Sequence, residues 1–150
     1  IPRNLFFDWN LLPAKNFEAV VAPRPGSAGD KMLKLTFTNF SGPFGEVFQY
    51  LRLTPGQYHL NARFAAEQLK ATTGMAWRVY CVDADVQAGQ GPRVTADSPW
   101  TSYEFDLSVP DNNCSTQVLA LGWTSLAALD QSLNGKLMFD EFSIVAKDAQ

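Results

Sequence analysis

Few residues in this chain of 150 are of types that do chemistry, and their spacing limits what that chemistry is. His59 is the single histidine. There is no Gly-x-Ser-x-Gly and no His-Glu-x-x-His stretch to mark a nucleophile or a metalloprotease site. Gly89-Gln90-Gly91 lacks the third glycine and the following helix that a phosphate cradle requires. Glu104 and Asp106 stand two apart on an alternating run, which puts their carboxylates on one strand face about 7 Å apart, a spacing glycoside hydrolysis could use. Alternate acidic residues on a strand ordinarily face water, so the expectation is a chain that is not an enzyme. A different set stands out. Phe48, Tyr50 and Arg52 alternate on one run, His59, Asn61 and Arg63 on the next, and Arg78 and Tyr80 on a third. Flat rings beside fixed guanidinium and amide donors suit sugars, which offer apolar C–H faces together with hydroxyls. Tyr50, Arg52, His59, Asn61, Arg63, Arg78 and Tyr80 are therefore the predicted contact surface, with Trp100 added from the aromatics Phe40, Phe44, Trp100 and Trp123 expected in exposed loops. The competing reading is an ordinary solvated sheet face, because Tyr and Arg suit strands.

The elements that must position these residues are strands. Leu33, Leu35 and Phe37 share a face of the run 31–38, and Glu46 to Leu53 is a second run of the same kind. Gln57 to Ala66 turns Tyr58, Leu60, Ala62 and Phe64 inward and His59, Asn61 and Arg63 outward. Met75, Trp77, Val79 and Cys81 share a face, as do Tyr103, Phe105, Leu107 and Val109. Runs at 116–123 and 136–145, and shorter ones at 6–11 and 17–21, complete the set. Alternation with period two means strands with one buried face. Pro23-Arg24-Pro25-Gly26, Ser41-Gly42-Pro43, Thr54-Pro55-Gly56, Gly89-Gln90-Gly91-Pro92, Pro110-Asp111-Asn112-Asn113 and Asn134-Gly135 separate them with turn chemistry. Only 65–72 and 124–133 could hold a helical turn or two. Eight or nine strands with almost no helix predict an all-β fold of two antiparallel sheets packed face to face.

Composition excludes several classes. Hydrophobic residues at 46% and charged residues at 18% are those of a globular domain with its own core. A net charge of −3 with scattered Lys and Arg gives no electrostatic footprint for nucleic acid. No basic amphipathic stretch or spanning apolar run predicts membrane insertion. The length fits one domain, and a start at Ile1 reads as a domain excised from a longer protein.

Three segments resemble a known group. Leu51-Arg52-Leu53-Thr54-Pro55-Gly56-Gln57-Tyr58, then Asn61-Ala62-Arg63-Phe64-Ala65-Ala66-Glu67, then Phe139-Asp140-Glu141-Phe142-Ser143-Ile144 are similar to the carbohydrate-binding modules of families 4 and 9, jelly rolls of the galactose-binding-like type. Phe7-Asp8-Trp9-Asn10-Leu11, Trp77-Arg78-Val79-Tyr80-Cys81 and Ser98-Pro99-Trp100 resemble the jelly-roll domain appended to tetratricopeptide-repeat envelope proteins of Gram-negative bacteria. These motifs are folding motifs, so they speak to architecture before activity. The resemblance implies a jelly-roll β-sandwich that binds polysaccharide or oligosaccharide in the periplasm, cell envelope or extracellular space. The alternative is a protein-interaction domain with an envelope protein partner, in a polysaccharide-export or secretion assembly, that has lost the sugar site. In the resembling modules an Asp in the last strand often binds a structural Ca²⁺. Asp140, expected inward with Phe142 and Ile144, would hold it with Asp8 or Glu18, although the family's Asn-rich N-terminal ligand segment is absent or cut off here; hydrogen bonding of Asp140 to backbone is the other reading. Cys81 ends one strand and Cys114 precedes another, where strand ends could meet. An even count in an envelope-type domain favours a disulfide, with two buried thiols as the alternative. Two cysteines and one histidine do not make a zinc site by themselves.

Overall fold

The computed structural model describes residues 9–23, 31–42, 44–71, 74–123 and 132–147. Among them ten strands form: β1 (Asn10–Leu11), β2 (Phe17–Pro23), β3 (Lys31–Ser41), β4 (Val47–Leu51), β5 (Gly56–Ala71), β6 (Met75–Cys81), β7 (Gln87–Gln90), β8 (Ser98–Val109), β9 (Gln117–Trp123) and β10 (Ser132–Ala146). A front sheet has the order β1-β4-β9-β6-β7 and a back sheet the order β2-β3-β10-β5-β8. Every pairing is antiparallel. The architecture is a β-sandwich, as the alternation predicts, and a jelly roll, as the resemblance implies, with ten strands instead of eight or nine.

Alternation explains the packing. In β8, Tyr103, Phe105, Leu107 and Val109 are buried while Ser102, Glu104, Asp106 and Ser108 are exposed. Met75, Trp77, Val79 and Cys81 of β6 meet them from the front sheet. Trp77 is wholly buried, with its ring 5.2 Å from that of Phe139. The hydroxyl of Tyr103 donates to the Pro92 carbonyl at 2.6 Å and accepts the Trp77 N–H at 3.1 Å, so it ties the two sheets together. Burial pushes that hydroxyl well above the ordinary tyrosine range, which keeps it a neutral donor.

Three expectations fail, each for a tertiary reason. Ala65 to Ala71 is strand, because Leu133 and Asn134 of β10 pair with Ala71 and Lys70, and ladder hydrogen bonds override the helix propensity of Ala-Ala-Glu-Gln-Leu-Lys. Of the other candidate helical turn, 124–131 lie outside the described residues, and Ser132 and Leu133 open β10. Gly89-Gln90 belongs to β7 instead of a turn; a Cβ on Gly89 would stand 2.7 Å from the Asp106 carbonyl oxygen, so its glycine serves close approach of the sheets. Phe40 and Trp123 are core residues and not loop tips. Trp123 Nε1 donates to the Gly42 carbonyl at 2.8 Å, and Phe40, Phe44, Phe17 and Phe37 pack as one aromatic cluster.

Cys81 and Cys114 form a disulfide across a separation of 33 residues, with Cα atoms 4.9 Å apart. Gln117 braces the same corner. It is fully buried, accepts the Leu53 N–H at 2.9 Å, and donates to the Cys114 carbonyl at 2.6 Å and the Leu53 carbonyl at 3.2 Å.

Candidate ligand-binding groove on the front sheet

The outward face of the front sheet can be built row by row from its register. Tyr50 of β4 lies opposite Val118 of β9, and Val118 lies opposite Tyr80 of β6. In the neighbouring row Phe48 faces Ala120, and Ala120 faces Arg78. The central strand therefore shows only Val118, Ala120 and Gly122 outward, while its neighbours raise rings and a guanidinium on both sides. Strands are spaced about 4.8 Å, so the two walls stand about 10 Å apart at their backbones. The result is an open groove of about 400 Å³ along β9, lined by Phe44, Gly45, Phe48, Tyr50, Arg78, Tyr80, Val82, Val118, Ala120, Leu121 and Gly122.

Its walls are held from behind. Val47, Gln49 and Leu51 are buried and leave Tyr50 58% exposed, with Phe48 packed edge-on to it at 5.7 Å. On β6 the buried Val79 and Cys81 flank Tyr80, which is 38% exposed. Arg78 donates through Nη2 to the Trp123 carbonyl, which fixes the guanidinium over the floor. Two exposed rings and an anchored planar donor along one trough are the chemistry of contact with a flat, hydroxyl-rich ligand.

The other predicted contact residues lie elsewhere. Arg52 follows β4 on the front side and is exposed, beyond the groove lining. His59, Asn61 and Arg63 belong to β5, on the back sheet. The expectation that they share a surface with Tyr50 and Tyr80 is corrected, because β5 crosses to the opposite sheet between β4 and β6. Trp100 is half-buried on β8 and packs on Met32, Ala65 and Met138 of the back sheet. The floor of β9 was missed by sequence reasoning. Its signal, small side chains at alternate positions of one strand, acquires meaning only when the strands on either side are known.

On the back face His59 is clamped between two carboxylates. Nδ1 lies 2.7 Å from Asp106 Oδ1 and Nε2 lies 2.8 Å from Glu104 Oε1, while Lys147 Nζ reaches Asp106 Oδ2 at 3.0 Å. Two carboxylates on both ring nitrogens call for two N–H donors, which only the imidazolium has. Donation to Asp106, then donation to Glu104, raises the His59 pKa above its usual 6.5. The bond to His59, then that to Lys147, holds Asp106 below the usual 3.8. The carboxylate pair with a glycosidase-like spacing is thus engaged on one imidazole, on the sheet opposite the groove.

Of the residues proposed for calcium, Asp140 and Glu18 do not come together. Asp140 pairs with Arg63 and Ser143 with Asn61, so one extra residue enters β10 between them, where Glu141 has φ +57°. The bulge resets the alternation, so Asp140 shares the face of Arg63 instead of that of Ile144, which corrects the expected face, although the carboxylate is buried as expected. Its Oδ1 accepts the Glu141 N–H at 2.7 Å. Glu18 lies opposite Thr36, and Thr36 opposite Lys136. That is four residues along β10 from Asp140, about 13 Å at strand rise, too far for one ion with six to eight oxygen ligands. Asp8 lies outside the described residues. Among the described residues no three His, Cys, Asp or Glu side chains converge as a metal site. No helix among them is long and apolar enough to cross a membrane.

No family model matches the chain, and no curated protein matches it. Solved structures do. A family 4 carbohydrate-binding module superposes with a TM-score of 0.63 at 13% identity, over 93% of this chain and 86% of that one. A family 61 module, TmCBM61, solved with β-1,4-galactotriose, gives 0.60 at 14% identity over 93% and 89%. The CBM22-1 xylan-binding domain of Paenibacillus barcinonensis Xyn10C gives 0.58 at 14% identity over 95% and 87%. At such identities the likeness is one of fold.

Proposed function

We propose that this chain is a non-catalytic saccharide-binding module whose contact surface is the front-sheet groove. The observation that carries the reading is the placement of Tyr50 and Tyr80 across the small-residue floor of β9, in the row next to Arg78. Sugar rings would lie along the trough with their C–H faces against the two phenols, and Arg78 would donate to oxygens at the floor. Solved structures that share the fold include a xylan-binding domain and a galactotriose complex, which agrees with a glycan as the class of ligand. The disulfide favours an oxidising compartment. We place the module in the periplasm or cell envelope, as one part of a larger tetratricopeptide-repeat protein that it holds near a glycan.

Affinity electrophoresis and calorimetric titration against a panel of neutral and acidic polysaccharides test it. Tyr50→Ala and Tyr80→Ala should each weaken binding by about tenfold. Gly122→Leu is the sharper variant. A Cβ on Gly122 meets nothing within 4 Å, so the side chain would fill the trough while the fold stays intact, and binding should vanish. Saccharide binding undiminished in all three variants would refute the assignment.

A further inference from the structure

The lining of the groove also bears on the charge of its ligand. Arg78 is the one charged side chain in it, and no Asp, Glu, Asn, Gln or His contributes. The guanidinium is anchored through Nη2 on the Trp123 carbonyl, and its Nε is buried without a hydrogen-bond partner. Among the described residues no carboxylate pairs with it; the ion pairs there join His59 and Lys147 to Glu104 and Asp106 on the other sheet. Glu46, next in sequence to the lining residue Gly45, accepts the Gly45 N–H at 2.9 Å.

A half-buried cation among aromatic walls, without a counter-charge, is unfavourable in the free protein. A ligand carboxylate would offset this through charge-assisted hydrogen bonds suited to the planar fork. A neutral sugar offers less. Its hydroxyls accept from Arg78 but bring no charge, and the groove has no amide or carboxylate side chain to both order and accept from a row of hydroxyls. The surroundings point the same way. The chain as a whole carries −3, so attraction of an anion has to be local. Arg52, exposed two residues beyond Tyr50 and outside the lining, adds a second cation further along the chain.

We propose that the groove is selective for saccharides bearing carboxylates, of the uronic-acid class, with one carboxylate on Arg78 and sugar faces on Tyr50 and Tyr80. This rests on the reading of the groove as a saccharide site. The test uses polygalacturonate, alginate and glucuronoxylan, each beside its carboxyl-reduced form, in calorimetry and affinity electrophoresis. At least one acidic polymer should bind about tenfold or more tightly than its reduced partner. That preference should shrink with added salt and disappear in Arg78→Gln. Should Arg78→Gln fail to fold, Gly122→Leu, which leaves the arginine in place, must abolish binding of the acid form as well. Equal binding of acid and reduced forms would overturn the charge selectivity while leaving the saccharide site standing. Binding of neither form by any polymer would overturn both. Acid binding that persists in Gly122→Leu would place the anion on other basic surface and refute the role of Arg78.

Discussion

Removing the disulfide by Cys81→Ala with Cys114→Ala should destabilise the fold without reshaping the groove. The bond closes a loop of 33 residues, for which the chain-entropy relation gives about 4 kcal/mol at 25 °C. With an unfolding entropy of about 2.1 cal/mol/K per residue over 150 residues, that corresponds to a fall in Tm of about 12 °C. Most of the loss should come from the unfolded chain. In the folded state Gln117 still holds Cys114 and Leu53 together through three hydrogen bonds, and Tyr80, the neighbour of Cys81, keeps its place through the pairing of Tyr80 with Val118. Urea denaturation followed by tryptophan fluorescence, beside the parent chain with and without reductant, measures it. The denaturant slope should rise, because the unlinked chain unfolds to a more open state. Saccharide affinity measured well below the transition should change less than about twofold. A loss under about 1 kcal/mol would refute the reasoning, since it would mean that the loop is as ordered in the unfolded chain as in the folded one.

Gln117→Leu should cost about 3 kcal/mol in denaturant titration, because it strands the buried Cys114 carbonyl and the partly buried N–H and carbonyl of Leu53; a neutral result would mean that the corner is not braced by the amide. Gly91→Ala places a Cβ 2.5 Å from the ring and hydroxyl of Tyr103, which is itself pinned by Pro92 and Trp77. A loss of about 1–3 kcal/mol is expected, against none for Gly122→Ala, and equal Tm values would contradict it. His59→Gln should flatten the dependence of Tm on pH. The folded His59 pKa is raised, so its contribution is complete below 6.5 and is lost as pH rises through the folded value; that of Asp106 is present above 3.8 and is lost as pH falls through its lowered value. The clamp is largely exposed, so solvent screening keeps the effect between pH 5 and 9 small, and a parent whose stability rises across that range relative to the variant would reverse the assigned direction.

What the chain carries in its own order is the division of each strand into two faces. Leu33, Leu35 and Phe37, or Tyr103, Phe105, Leu107 and Val109, are legible as core because side chains two apart share a layer wherever pairing continues. The turn residues between the runs make the all-β class equally plain, and the places of the two cysteines at strand ends point to the disulfide that forms. Tertiary structure alone decided which strands lie side by side. Alternation is a local property that is identical whichever partner a strand takes, so it could not tell that β5 crosses to the back sheet and carries His59, Asn61 and Arg63 away from Tyr50 and Tyr80. Nor could it tell that one residue inserted at Glu141 turns Asp140 onto the face of Arg63. The groove belongs to this second kind of information, since Val118, Ala120 and Gly122 are a floor only because β4 and β6 stand on either side with larger side chains.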